Sequence, residues 1–284
     1  MSENVASEAP LSVSRARSVG LVPFLFGVTR QAELPGIALT RLLGDLGLTE
    51  AAARALLQRM CRDGQLARTR RGRGVDYRLA GNTARGFDRV RTSDRPTATE
   101  WTGAFHALLY QVPERDRAFR DALRRAAVMS GYGILQQGVL ISLTDRADQL
   151  APLADPPAGA TVHRARLAMP AAEAARAARH AWSLDELTAR HARHARTLRD
   201  AVRQVRTPPA ATPATLRRYA ELLRDPMLDI LRSPRLPAPL LPADWPMPDL
   251  QAAIHEVHRM YGVPAVGYAR SLVAEAGGAA GPGG

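Results

Sequence analysis

The sequence predicts an α+β protein, mainly helical, with an N-terminal helical module closed by a hairpin, a central ferredoxin-like α+β domain and a C-terminal helical domain. Three observations carry that prediction. Leucines at helical spacing run through residues 39–60 and lead into a hairpin with an arginine-rich tip. Apolar runs of strand length alternate with helical stretches between Trp101 and Trp182. Beyond Ser183 the pattern is helical, broken by proline-rich connections rather than by strands.

Residues 1–14 are polar and expected to be disordered, and the first module spans 15–95. The apolar run from Val19 to Phe26 is too short to cross a bilayer. Glu3 and Glu8 spoil the cationic start of a signal peptide, and no small-residue cleavage site follows. It is read as the first helix. Leu39, Leu42, Leu43 and Leu46 recur at i, i+3, i+4, i+7 and give the second helix one stripe to bury. Gly47 stops that helix, because glycine enters the left-handed conformation without steric cost. Thr49 stands at the N-cap of the third helix, with Glu50 complementing its dipole.

The third helix turns Ala53, Leu56, Leu57 and Met60 inward. Its other face carries Glu50, Ala51, Arg54, Ala55, Gln58 and Arg62, small enough in part to approach base edges. Gly64 ends it. The segment Gln65 to Thr69, the tip Arg70-Arg71-Gly72-Arg73-Gly74 and the alternating Val75 to Leu79 then read as a hairpin. A groove-sized helix beside an arginine-tipped wing is a winged helix-turn-helix, which points to duplex DNA. Thr49, Arg54, Gln58 and Arg62 would meet bases or adjacent phosphates, and Arg68, Arg70, Arg71 and Arg73 the backbone or minor groove. An amphipathic module with a merely solvated basic face leaves the matched stripes, the tight turn and the arginine-loaded tip unexplained. Asn82-Thr83 caps a connecting helix toward Arg91, and Thr92 to Thr97 has linker composition.

The central domain spans 96–182. Trp101 to Val112 reads as a buried strand, and Pro113 opens a helix with Phe119, Leu123, Ala126 and Ala127 inward. Ile134 to Leu143 reads as one strand in which Gly138 marks a bulge or a close backbone approach. A weak helix passes through Asp148 and Leu150 to the Pro156-Pro157 turn. Thr161 to Met169 is a strand and Ala171 to Trp182 a helix. The order β-α-β-(α)-β-α is that of a ferredoxin-like sandwich.

The C-terminal helical domain spans 183–270. Ser183 is a candidate N-cap for a helix to about Val205, and Leu216 to Leu231 forms another. Ser233 to Pro246 holds too many prolines for regular structure. Leu250, Ile254, Val257 and Tyr261 stripe a last helix, and 271–284 is expected to be a flexible, glycine-rich tail.

Charge is concentrated where the DNA reading needs it. The 284 residues carry a formal +12, and residues 15–95 hold 16 Arg against 7 Asp and Glu. The remaining chain is nearly balanced, so the excess forms one phosphate-attracting region. There is no lysine, which reflects a coding bias toward arginine but does not explain the clustering. The lone Cys61 excludes an internal disulfide and suits a reducing cytoplasm. Arg59 and Arg62 beside it favour a thiolate, whereas a place near a helix end suits a small apolar residue. His191 and His194, with His180 one element earlier, have spacing for a shared metal but no third ligand set by pattern, and His255 and His258 are equally unspecific. No metal or cofactor is therefore expected. No P-loop, Rossmann fingerprint, nucleophile elbow or zinc-finger spacing occurs.

Taken in order, these motifs resemble the PaaX-type transcriptional repressors. In the first module the likeness rests on Arg54, Arg59, the Gly64–Leu66 step, Gly72-Arg73 and Tyr77. In the centre it rests on Trp101-Thr102-Gly103 and on Gly131-Tyr132-Gly133 through Leu143, and near the C-terminus on Leu240-Leu241-Pro242-Ala243-Asp244-Trp245-Pro246. The resemblance implies a cytoplasmic homodimer that binds a palindromic operator and is released by a small effector, often an acyl-CoA thioester. Arg164, Arg166, Arg176 and Arg179, with His191 and His194, are the effector-binding candidates. This chain departs from the family at Gln65, where tryptophan is usual, at Gly74, where a second arginine is usual, and at His191 and His194, where aromatic residues are usual.

The central domain also resembles the small nuclease subunits of CRISPR adaptation complexes. Metal-assisted phosphodiester hydrolysis needs an acid at the end of the first strand to hold Mg²⁺, and Ala104 to Val112 contains no Asp or Glu. A regulator rather than an enzyme is expected. The alternative is a metal-dependent nuclease or CoA-thioester enzyme with a DNA-binding appendage.

Overall fold

The computed structural model describes residues 20–72, 74–91 and 100–278, and its chain divides into two compact units. The expected disordered N-terminus over 1–14 and the linker at Thr92–Thr97 lie outside the described residues. One unit joins the first 94 residues to 195–227 and 251–284, and the other joins 95–194 to 228–250. Residues 183–270, expected as one helical body, are thus divided between the two.

In the first unit, α1 (Leu21–Thr29) is the helix expected from its apolar run, and α2 (Gly36–Asp45) and α3 (Glu50–Arg62) bury the stripes anticipated from their spacing. Leu39, Leu42 and Leu43 of α2 and Ala53, Leu56, Leu57 and Met60 of α3 are all buried. Gly47 joins the two helices at φ +96°, a value a side chain rarely tolerates. A two-residue strand β1 (Leu34–Pro35) pairs antiparallel with β3 (Gly74–Leu79), which pairs with β2 (Leu66–Arg71), so β3 is central. α4 (Gly81–Arg91) follows, and its Phe87 ring lies against Gly27 of α1.

The far end of the chain braces this module. From α8 (Pro213–Arg232) the Tyr219 ring packs on Phe24 and Arg217 Nε donates to the Asp45 carbonyl at 2.9 Å. α7 (Leu184–Arg203) runs through both units, and α9 (Met247–Val257) leads through a π turn at His258–Gly262 into α10 (Val263–Gly278). Tyr268 donates its phenol to Asp45 Oδ2 at 2.7 Å, and Arg270 Nε donates to the Thr29 carbonyl at 3.2 Å. Burial, with Asp45 adding to it, pushes the Tyr268 phenol up to about 12. α10 corrects the expectation of a tail from 271, because Leu272 and Val273 are buried and helical. Its alanine-rich run lacks an obvious stripe, so burial rather than periodicity reveals it. Residues 279–284 lie outside the described residues.

The second unit is built on an antiparallel sheet of order β5-β6-β4-β7, from β4 (Ala104–Gln111), β5 (Gly133–Gln136), β6 (Val139–Ser142) and β7 (Thr161–Ala168). The stretch expected as one strand over 134–143 is a hairpin. Gly138 turns it at φ +79°, accepts from Tyr110 N at 2.8 Å, and leaves no room for a side chain beside the Tyr110 carbonyl. One face packs Leu108, Tyr110 and Leu140 with Leu123 and Ala127 of α5 (Arg117–Met129). The weak helix expected near Asp148 is two 3₁₀ turns, Ala147–Gln149 and Ala151–Ala154, which place Ala147 and Leu150 on that same face. Pro152, Pro156 and Pro157 deny the segment the donors a longer helix needs.

The opposite face packs Phe105, Ala107 and Ile141 with Ala174 and Ala178 of α6 (Ala171–Ala181) and Leu184 and Leu187 of α7. Leu236 and Leu240, from the proline-rich connection, complete that layer. Ser183, between α6 and α7, takes φ +47° and accepts from Leu187 N at 3.1 Å through its carbonyl.

Candidate nucleic-acid interface

α3 presents one continuous outward face because its inward positions are all apolar. Thr49, Glu50, Ala51, Arg54, Ala55, Gln58 and Arg62 are exposed. The Thr49 hydroxyl accepts from Ala52 N at 3.2 Å and so caps the helix. Arg54 is ion-paired with Glu50 one turn back, with both side chains about two-thirds exposed. Such a pair is weak and easily exchanged for another acceptor. Glu50, assigned from sequence only to the helix dipole, therefore also holds Arg54 along the helix in the free protein.

The hairpin expected as a wing is formed by β2 and β3. Arg68, Arg70 and Arg71 of β2 stand opposite Tyr77, Val75 and Gly74, and all three arginines are exposed. Arg71 Nη1 donates to Asp76 Oδ2 at 3.2 Å, and that carboxylate side chain is only 9% exposed. A buried acid in the central strand thus anchors an arginine near the tip, a role the sequence reading missed although the hairpin register contains it. Arg73 lies outside the described residues.

Between helix and wing lies a concavity of about 470 Å³ lined by Gln58, Cys61, Arg62, Arg68 and Tyr77. Three of the expected DNA-contacting residues meet here. Burial pushes the Cys61 thiol up, with Arg68 opposing, so desolvation outweighs the thiolate-favouring charges. Burial also raises the Tyr77 phenol.

The six effector candidates differ in their surroundings. Arg164 on β7 is ion-paired with Asp148 and lies 3.8 Å from Asp145, and Arg179 Nε donates to Asp185 at 2.6 Å. Arg166 and Arg176 are exposed. His194 Nε2 lies 2.9 Å from Asp229 Oδ2, which Arg190 also approaches at 3.3 Å. His191 is fully buried, edge-on to Trp245, with Nε2 3.1 Å from Ser233 Oγ. Ser233 gives its one proton to the Asp229 carbonyl at 2.7 Å, so His191 carries its proton on Nε2. Its Nδ1 then has no hydrogen-bond partner, and burial holds the imidazole below its ordinary range. Among the described residues no three His, Cys, Asp or Glu side chains gather to hold a metal. β4, the first strand of the central sheet, carries no carboxylate.

Residues 15–83 match the family model of PaaX-like proteins, and residues 98–177 match that of the PaaX central Cas2-like domain. The chain belongs to the PaaX family. Members of this family are transcriptional regulators. This PaaX-family chain is similar in structure to the uncharacterized protein Rv0674 from Mycobacterium tuberculosis. The two share 27% identity at a TM-score of 0.55, over 93% of this chain and 98% of that one. No curated protein matches it. Among the described residues, no helix of this PaaX-family protein is long and apolar enough to cross a membrane.

Proposed function

We propose that this PaaX-family regulator is a cytoplasmic, dimeric, one-component repressor that binds a palindromic operator through a winged helix-turn-helix. One observation supports this most. The exposed face of α3 bearing Arg54, Gln58 and Arg62 continues across the Gln58–Arg62–Arg68 concavity onto the wing arginines. A surface of that form offers side chains to base edges and cations to phosphates together.

The module over 15–95 reads DNA in this account, the ferredoxin-like domain over 96–182 serves dimerisation and coupling, and with the helices over 183–270 it forms the dimer and a ligand pocket. Dimer symmetry sets half-sites about one helical turn, or a multiple, apart. An acyl-CoA thioester releases the operator by binding more tightly to the arrangement that cannot engage DNA, because that difference is all a ligand supplies. Arg166 and Arg176, which pair with no carboxylate among the described residues, suit its phosphates better than Arg164 and Arg179 do.

Operator selection from random duplexes, followed by titration of Arg54→Ala, tests the reading. The variant loses about 1–3 kcal/mol of affinity and relaxes choice at one base position. Unchanged affinity and base preference would remove Arg54 from the interface.

A further inference from the structure

We propose that the concavity between α3 and the wing, lined by Arg62, Arg68, Tyr77, Gln58 and Cys61, is a seat for one backbone phosphodiester of duplex DNA. The inference rests on the winged-helix reading above and gives its contact surface a fixed point.

The geometry leads there in steps. In B-DNA the major groove admits a helix, while the narrower minor groove admits little more than an arginine tip. The two grooves are separated by a sugar-phosphate strand. A protein with its helix in one groove and its wing toward the next must straddle that strand, and its phosphates arrive in the recess between the two elements. Here that recess is about 470 Å³ and is lined by two arginines. Neither Arg62 nor Arg68 pairs with a carboxylate among the described residues, unlike Arg54 and Arg71. No carboxylate lines the recess.

The remaining lining suits an anion too. The α3 C-terminus would repel one, but its last carbonyls are taken by the N–H groups of Asp63, Gly64 and Gln65 at 2.9, 3.1 and 2.8 Å. Tyr77 stands opposite both Leu34 and Arg68 in the sheet, and its ring is backed by Gly36, where an added Cβ would come within 3.0 Å of it. The ring is thereby held in place with its hydroxyl available as a neutral donor. The Cys61 thiol is held in its protonated form by burial, so no negative sulfur competes with the phosphate.

The test uses the full chain, a random-sequence duplex and a thiol-specific maleimide. Duplex slows labelling of Cys61 in step with saturation, while inorganic phosphate at the same ionic strength does not. Arg62→Gln and Arg68→Gln each lower the slope of log affinity against log salt by about 1, as expected for one phosphate-contacting cation apiece. Tyr77→Phe weakens binding about two- to tenfold without changing the slope, because a neutral donor releases no counterion. Thermal melting of the three variants is compared with the parent, so that misfolding is not counted as lost contact.

If duplex binds normally yet Cys61 labels as fast as before and both salt slopes are unchanged, the seat is refuted while DNA binding stands. Equal protection of Cys61 by inorganic phosphate refutes it as well, making the recess a free-anion pocket. If the parent protein binds no duplex, the underlying reading fails and the seat fails with it.

Discussion

Replacing Gly138 by alanine should destabilise the central sheet more than replacing Gly103 by alanine. Two costs add. The residue sits at φ +79°, where a side chain costs about 1–2 kcal/mol. An added Cβ would also lie 2.7 Å from the Tyr110 carbonyl oxygen, which is backbone and cannot swing aside. Moving that carbonyl disturbs β4, the strand between β6 and β7, at a cost of about 1–3 kcal/mol typical of overpacking. The sum is about 2–5 kcal/mol.

Gly103→Ala is the matched control. Gly103 has φ +83° in the same unit, but nothing lies within 4 Å of its Cβ position, so only the conformational cost of about 1–2 kcal/mol remains. Alanine restricts the unfolded chain equally in both variants, and that contribution cancels in the comparison. Trp101, Trp182 and Trp245 all lie in this unit, so tryptophan fluorescence during urea unfolding reports on it specifically. If Gly138→Ala proves no more destabilising than Gly103→Ala, the steric argument fails, and with it the claim that this glycine fixes the hairpin against β4.

Two further outcomes follow from named contacts. Thr49→Ala should destabilise α3 by about 1 kcal/mol, seen as faster amide exchange at Ala52, while Thr49→Ser should leave exchange nearly unchanged; equal exchange in all three proteins would show the cap to be inert. His191 should make the protein acid-sensitive. Burial lowers its folded-state pKa, with nearby Asp229 opposing and His194 and Arg190 adding, so the folded form binds fewer protons than the unfolded one. Its contribution is full above the ordinary value of 6.5 and is lost as pH falls through the lowered value. Urea midpoints at about pH 7.5 and about pH 5 should therefore differ more in the parent than in His191→Gln, and equal differences would exclude His191 as the source.

Helices α2 and α3 and the turn at Gly47 are legible because their residues interact mainly with neighbours in sequence. Leu42 with Leu43 and Leu56 with Leu57 mark their buried faces by spacing alone, and Gly47 and Gly64 mark the stops. The wing was legible for the same reason, since a hairpin register follows from its turn. What escaped were contacts that need two elements at once: Asp76 anchoring Arg71, Cys61 and Tyr77 meeting Arg68 across a recess, and the proton of Ser233 setting the tautomer of His191. Gly138 marks a bulge or a close approach in the sequence, but a single apolar run does not reveal that the chain doubles back there.

Local periodicity, caps and charge thus led from the chain alone to a basic helix pair with a tight turn and an arginine-rich hairpin after it. Only the folded structure decided that α10 is helical and buried in part, that the C-terminal helices are shared between two units, and that Gln58, Arg62 and Arg68 border one recess. The reason is physical. A helix face or a glycine stop is written within a few residues, whereas burial of an alanine-rich helix or convergence of arginines depends on segments far apart in the chain, and no local pattern encodes that distance.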